Sequence, residues 1–587
     1  MDTHLSSDMV TVNGHTPAGA DVQRRLGSAV APVRRSYAAV AWVGAVGIIA
    51  VVLFAVQDRA HVPPGIAADY NYIFLAADRM FDGHGPTTPP PHAPFQAWQW
   101  ECDWRFLTQW PLGYPLLLCG IRLVFSATTA QAGVGISALS CSVALVGWFA
   151  WIRRCLPARM PATLIAVLAA ASTFTLGNLL HPSTDVVVLA LTPLVLLAAS
   201  RAIDDLGKPG RSGWVRLAAV GLFAGSLVWV RYVAICVPMA IGVFLILQWI
   251  LAKRVRPRHV GVFAFSSLVP IITLMVLNGA LADGATTRQQ LNLGDRLSID
   301  FDFAMVATAW RRFTEQTFYD YRPESAMLFV WILPALALIT PVLFRDSRRK
   351  LSEFLARPEV LLSVTMTGTL LATVILATTL FKEKYDYVSL ARYYQPIRPF
   401  YYLFFLGPVL TLRPRVLRGL ACVPLILCCL WFVRQDWTRT YLRWQAAARP
   451  MTDYGRCAQY FEPHSAELYR WLRAQRRDDL VVFSNFHDDI ALETQIPACP
   501  APRTVADMER WLEGIKRARE IDDARVLFVL DPDNHTREYF LPPPEDVIRQ
   551  FHLVRVTGVP DTVSTYVYAL APADWTSQLA GRLGDNP

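Results

Sequence analysis

Hydrophobic positions in this chain come in long blocks rather than in the short alternations of a water-soluble protein. Residues 37–56 (YAAVAWVGAVGIIAVVLFAV) carry no ionisable side chain, and about 20 such residues are what a helix needs to cross a bilayer. The same pattern predicts spans over 37–56, 131–152, 162–180, 186–203, 215–230, 233–251, 260–278, 326–344, 360–381, 399–412 and 417–433, eleven in all. Segment 111–125 (PLGYPLLLCGIRLVF) is apolar too, but counting it as a span would invert the side of the basic loop that follows. It is expected instead to be a juxtamembrane or re-entrant helix at the interface.

Charge then orients the spans, because short loops rich in Lys and Arg stay on the cytoplasmic side. With the amino terminus inside, every inside connection is basic: Arg153, Arg154 and Arg159 in one, Lys253, Arg254, Arg256 and Arg258 in another, Arg345, Arg348, Arg349 and Lys350 in a third. Residues 1–36 form a disordered cytoplasmic terminus in this scheme, with no cleavable signal. Residues 37–433 form the membrane domain, and its outer loops are 57–130, 279–325 and 382–398. An odd span count places residues 434–587 outside. There the pattern changes to a small α/β domain: a strand at Leu480–Phe483, a helix over 505–520, a strand at Val526–Leu530, and an alternation through Val563, Tyr566, Tyr568 and Leu570. Its elements suggest no chemistry of their own. Cys457 and Cys499 lie in it, either as a disulfide suited to an oxidising space or as two free thiols.

Composition agrees with a membrane solvent: 53% hydrophobic against 18% charged residues, with a mean hydropathy of +0.30. The net charge of +9 does not point to nucleic acid, because the positive residues sit between the spans. The expected fold class is therefore an α-helical polytopic membrane protein of about eleven transmembrane helices with a small C-terminal α/β domain. No internal repeat is evident.

The first outer loop opens with Ala68, Asp69, Tyr70, Asn71, Tyr72 and Ile73 and stops at Gly83, His84 and Gly85. Ile73, Ala76, Ala77, Met80 and Phe81 recur at helical spacing, which predicts an amphipathic helix lying on the membrane with Asp69 at its start. Together with Trp110, Pro111, Leu112, Gly113, Tyr114 and Pro115, this loop resembles the first loop of type C glycosyltransferases. The branch it is most similar to holds protein O-mannosyltransferases, aminoarabinose transferases and rhizobial lipopolysaccharide-core sugar transferases. Weaker matches follow in order at His181–Asp185, at Arg231 and Tyr232, and at Ala391, Arg392, Tyr393, Tyr394, Gln395 and Pro396.

The resemblance implies that Asp69 is the general base on an acceptor hydroxyl; read by itself, Asp69 is equally compatible with a helix N-cap. Many members carry a second acid directly after that aspartate, where this chain has Tyr70, so Glu101 or Asp103 would have to supply a partner. A polyprenyl phosphate leaving group needs cations, for which Arg231 and Arg392 are the candidates, with Tyr393 beside them and Arg398 and Lys384 behind; a snorkelling interfacial role competes for each arginine. Asp185 orients an arginine, binds a metal or is simply solvated, the last being slightly favoured. A divalent metal stays an open option, since His84, His92 and His181 fall on the outer side without ligand spacing. Asn534, in a chance glycosylation pattern, is set aside.

The leading expectation is a membrane glycosyltransferase that moves one sugar, a hexose or pentose, from a polyprenyl-phosphate donor to a lipid, glycan or protein acceptor outside the cytoplasm, with inversion. A transporter or flippase of a lipid-linked sugar is the main rival, although carriers usually keep ionisable residues in mid-membrane. A scaffold presenting the tail is the third reading.

Overall fold

The computed structural model describes residues 68–570 except 90–103, 109, 157–159, 173–182, 207–211, 252, 254, 282–302, 316–338, 340–341, 381–390, 413–464, 523, 532–542, 557–558, 561–563 and 565. The expected spans 37–56 and 417–433 lie outside the described residues, as does most of 326–344. The described residues all belong to one compact unit.

The described chain opens with α1 (Ala68–Phe81). It ends in the hydrogen-bond pattern of a glycine-terminated helix: Gly83 N–H donates to Met80 O and His84 N–H to Arg79 O, with Gly83 at φ +86°, a conformation that glycine alone adopts without strain. A short antiparallel pair follows, β1 (Thr87–Thr88) with β2 (Arg105–Phe106). The apolar segment after it is α2 (Gly113–Phe125). Thirteen residues rise only about 20 Å, less than the hydrocarbon core of a bilayer, so α2 does not cross one.

The membrane bundle is built from α3 (Thr129–Cys155), α4 (Met160–Ala171), α5 (Thr184–Leu206), α6 (Ser212–Ser226), α7 (Cys236–Ile250), α8 (Pro257–Leu281), α9 (Phe303–Glu315), α10 (Arg345–Leu355), α11 (Pro358–Leu380) and α12 (Arg398–Leu406). Among the described residues, α3, α5, α8, α11 and the helix Tyr232–Ile250 that includes α7 are long and apolar enough to cross a membrane; the chain is a membrane protein. Thr128 starts α3 with a capping box, its hydroxyl accepting from Gln131 N–H. Small residues let helices approach closely. At Gly221 and Gly225 an added Cβ would fall 2.0 Å from Ser266 Oγ and 2.1 Å from Ser267 O, so α6 meets α8 backbone to backbone in the manner of a GxxxG seam. Buried indoles key the other contacts, with Trp148 Nε1 donating to Leu189 O on α5 at 2.9 Å and Trp151 Nε1 to Ser363 Oγ on α11 at 3.1 Å.

The bundle has two chemically different ends. At one, Arg154 pairs with Glu359 at 2.9 Å and with Asp204. At the other stand the starts of α3 and α5 and the turns around Arg231 and Tyr393. The expected span 399–412 differs in kind: it is a nine-residue helix, α12, followed by a 3-10 turn at Pro408–Thr411. Pro396, Pro399 and Pro408 remove backbone donors from this stretch, and most of it is buried in protein.

The tail carries α13 (Ser465–Ala474), β3 (Leu480–Ser484), α14 (His487–Thr494), β4 (Ala498–Pro500), α15 (Val505–Arg519), β5 (Arg525–Val529), α16 (Pro544–Gln550), β6 (Leu553–Arg555) and β7 (Val567–Leu570). Its five strands form one sheet in the order β4-β3-β5-β7-β6. β3 is parallel to both β4 and β5, while β7 is antiparallel to β5 and β6. Two cores sandwich the sheet, one around Phe483, Trp511 and Phe528 and one around Leu472, Val482 and Ile490. Cys499 is disulfide-bonded, whereas Cys119, Cys141, Cys155 and Cys236 are free and buried. Cys457, which the sequence left open as either its partner or a free thiol, lies outside the described residues.

Candidate functional site

The helix expected to lie on the membrane, α1, is instead buried on every side: residues 71–78 are all buried, with Ile73, Phe74, Leu75, Ala76 and Ala77 at 0% exposure. Five consecutive buried residues cannot come from one apolar face, so the helix has protein all around it. Its coverings are α2, the segment from Trp104 to Leu112, and α14 of the tail.

The contact with α14 is polar. Asn71 Nδ2 donates one hydrogen bond to Asp488 Oδ2 at 2.9 Å and another to Asp489 Oδ1 at 2.6 Å. Tyr72 Oη and His487 Nε2 are hydrogen-bonded at 2.8 Å. All five residues are almost wholly buried. Asn71 thus spends both amide protons on two carboxylates that would otherwise face each other. Arg473 of α13 holds the far end of α14, its Nε donating to Glu493 O at 2.8 Å, where a cation also suits the helix dipole.

On its other side Tyr72 stacks on Trp110, centroids 5.1 Å apart and planes at 17°. The segment that carries Trp110 runs on to the turn before α7: Tyr232 Oη donates to Thr108 O at 2.7 Å. Gly113 explains part of the Trp-Pro-Leu-Gly-Tyr-Pro motif, because a Cβ there would stand 2.5 Å from Trp229 O. This strap joins the helix that bears Asp69 to the turn that bears Arg231.

At that turn Arg231 Nη1 lies 2.5 Å from Asp185 Oδ1, donates to Thr184 Oγ1 at 2.9 Å, and its guanidinium carbon sits 5.2 Å from the centre of the Tyr393 ring. Asp185 is 3% exposed. The slightly favoured expectation of a solvated Asp185 is therefore replaced by a buried ion pair, in which the carboxylate aims the guanidinium. Ser183 Oγ accepts from Asp185 N–H at 3.1 Å and starts the helix. Arg398 opens α12 just after the Tyr393 turn. It is 7% exposed, its Nε has no hydrogen-bond partner, and no carboxylate pairs with it among the described residues.

Asp69 occupies the first turn of α1 and Arg392 the 3-10 helix Ala391–Ile397; the side chains of both lie outside the described residues, as do Lys384, Glu101, Asp103, His92 and His181 altogether. His84 is exposed. Among the described residues no group of three His, Cys, Asp or Glu could hold a metal ion.

A cavity of about 880 Å³ opens where the far end of α1 meets the tail, lined by Asp78, Arg122 and Thr129 on one side and Arg473, Arg476 and Glu493 on the other. Asp78 pairs there with Arg122, whose guanidinium also covers the Phe81 ring at 3.9 Å. Beside the cavity Leu123, Val124 and Phe125 are 68%, 73% and 68% exposed.

Reasoning from the sequence missed His487, Asp488 and Asp489. The signal was their place at the carboxyl end of β3, the point at which the parallel strand order β4-β3-β5 reverses; open α/β sheets put their binding crevice there.

No family model matches the sequence, and no curated protein sequence matches it. Solved structures do. ArnT from Cupriavidus metallidurans in the apo state is similar with a TM-score of 0.50 at 13% identity, over 90% of this chain and 98% of that one. ArnT bound to undecaprenyl phosphate gives 0.48 at 12% identity, over 91% and 98%. The archaeal oligosaccharyltransferase AglB from Archaeoglobus fulgidus, in complex with an inhibitory peptide and a dolichol-phosphate, gives 0.49 at 12%, over 90% and 74%. The chain has the fold of ArnT.

Proposed function

We propose that this protein is a membrane glycosyltransferase that takes a single sugar from a polyprenyl-phosphate donor and gives it to an acceptor on the non-cytoplasmic face. The observation that carries this reading is a juxtaposition at one end of the bundle. There the helix bearing Asp69 is strapped to the turn bearing Arg231, whose guanidinium faces the Tyr393 ring; five residues after Tyr393 stands Arg398, buried and with no carboxylate partner among the described residues. A buried cation is costly unless an anion meets it, and a phosphate oxygen is such an anion. ArnT, which has this fold, has been crystallised with undecaprenyl phosphate.

In the reaction the acceptor oxygen bonds to the anomeric carbon from the face opposite the phosphate. The Asp69 carboxylate takes the hydroxyl proton as the carbon–oxygen bond to phosphate breaks, and polyprenyl phosphate leaves with the electron pair. Arg231, aimed by Asp185 under the Tyr393 ring, and Arg398 stabilise the charge that develops on that phosphate, with Arg392 and Lys384 assigned to the same cluster. The disulfide at Cys499 suits a tail in an oxidising compartment, and the basic Arg153 and Arg154 at the opposite end of the bundle suit the cytoplasm.

The test is single-sugar transfer by the purified protein in lipid, followed as release of free polyprenyl phosphate. Asp69→Asn is expected to lower turnover by about 100-fold or more while the protein stays folded. Wild-type turnover in that variant would remove Asp69 from the mechanism, and movement of intact donor without release of polyprenyl phosphate would turn the reading to a carrier.

A further inference from the structure

The tail meets the membrane half through the carboxyl edge of its sheet. β3 has parallel neighbours on both sides, and the chain leaves toward β4 and returns to β5 across it. Such a reversal opens a crevice that in open α/β sheets receives a ligand. Here the crevice is stiffened from within: Ser484 Oγ accepts from Phe486 N–H at 3.0 Å, and Asn485 exchanges two hydrogen bonds with the backbone of Asp531 at 2.9 and 3.0 Å. What its His487, Asp488 and Asp489 hold is Asn71 and Tyr72 of α1.

We infer that Asn71, Tyr72, His487, Asp488 and Asp489 are positioning residues for the transfer reaction: the tail grips the first turns of α1 and so fixes where Asp69 stands. The inference rests on the assignment of Asp69 as base. Asn71 and Tyr72 lie two and three residues after Asp69, less than one helical turn away. The first turn of a helix has no internal acceptors for its N–H groups and frays unless something holds it. Two adjacent residues point about 100° apart around a helix, so bonds to both oppose rotation as well as sliding. Trp110, stacked on Tyr72, closes the third direction. A base must be placed closely, because an error of about 1 Å costs on the order of 100-fold in rate.

The experiment uses the full-length protein in lipid and reads two quantities. Hydrogen–deuterium exchange over residues 68–75 reports how firmly α1 is held, with or without turnover. Steady-state kinetics report kcat and the KM for the donor. Asn71→Asp sets a third carboxylate against Asp488 and Asp489. It is expected to raise exchange in this segment and to lower kcat by about 100-fold with KM within about twofold of wild type. Adding Asp488→Asn restores an amide–carboxylate pair with the partners exchanged, and should recover at least tenfold of the lost kcat together with protection from exchange. Tyr72→Phe, a milder change, should show the same signature at about a tenth of the size.

Unchanged exchange in Asn71→Asp, or full kcat in variants whose helix has loosened, would overturn the inference, as would a folded double variant without recovery. If the wild-type protein releases no polyprenyl phosphate, the transfer reading falls, while the exchange measurements still decide whether the tail holds the helix.

Discussion

The Arg231–Asp185 pair offers a perturbation whose size follows from its surroundings. The side chains are 14% and 4% exposed, and Thr184 takes a further hydrogen bond from the arginine. Asp185→Leu removes the carboxylate from beside the guanidinium buried under Tyr393. Breaking a buried pair from one side costs about 3–5 kcal/mol. The lower figure applies here, because Arg231 keeps some contact with solvent, and about 3 kcal/mol shifts the folded-to-unfolded ratio by roughly 150-fold. Arg231→Met alone removes the cation of the pair and should cost a similar amount. The double variant, with apolar groups of comparable volume, is expected to regain about 2 kcal/mol or more over either single. Equilibrium unfolding in detergent, followed by tryptophan fluorescence, measures all four corners of the cycle. On the proposed mechanism transfer should not recover with stability, since the double variant lacks the guanidinium assigned to the phosphate. Additive losses in the double variant would refute the pair as a unit, and restored transfer would take Arg231 out of phosphate stabilisation.

Three further outcomes follow from other parts of the molecule. Gly113→Ala drives a Cβ to within 2.5 Å of Trp229 O and should destabilise the protein by about 1–3 kcal/mol as the strap is pushed off the Arg231 turn; an unchanged denaturation midpoint would contradict that contact. Arg398→Leu removes a buried charge that has no carboxylate partner among the described residues, so the donor-free protein should be as stable or more so while the KM for the donor rises; marked destabilisation would mean that the arginine is already paired. Peptide mapping without reductant should find Cys499 in a disulfide, while Cys119, Cys141, Cys155 and Cys236 resist alkylation until the protein unfolds; labelling of Cys499 in the native protein would contradict this.

The helices were legible because their signals are local. Apolar length sets α3, α5 and α11, Thr128 and Gln131 cap α3, and Gly83 stops α1 where the spacing predicted. The strands Leu480–Ser484 and Arg525–Val529 and the helix Val505–Arg519 fall where alternation and helical spacing placed them. What surrounds α1 was not legible. Periodicity shows that Ile73, Ala76 and Ala77 share a face, but Phe74 and Leu75 become interior only because a segment more than 400 positions away covers the other side. Asp488 and Asp489 look like a solvated helix start until Asn71 is brought against them. Asp185 was read as exposed because its partner lies on a turn 46 positions further along the chain. The stretch 399–412 was apolar enough to suggest a span, yet its prolines and its burial in protein give a short helix and a turn.

The Asn71–Asp488 contact joins residues 417 positions apart, and that separation has a consequence for biogenesis. At about 5–20 residues per second, a ribosome that has just finished α1 needs roughly 20–80 s more to deliver its partner. Throughout that interval a helix meant for the interior stands without its cover. The contacts that hold Asn71 and Tyr72 can therefore form only when synthesis is nearly complete, and the waiting segment is a defined target for a chaperone until then.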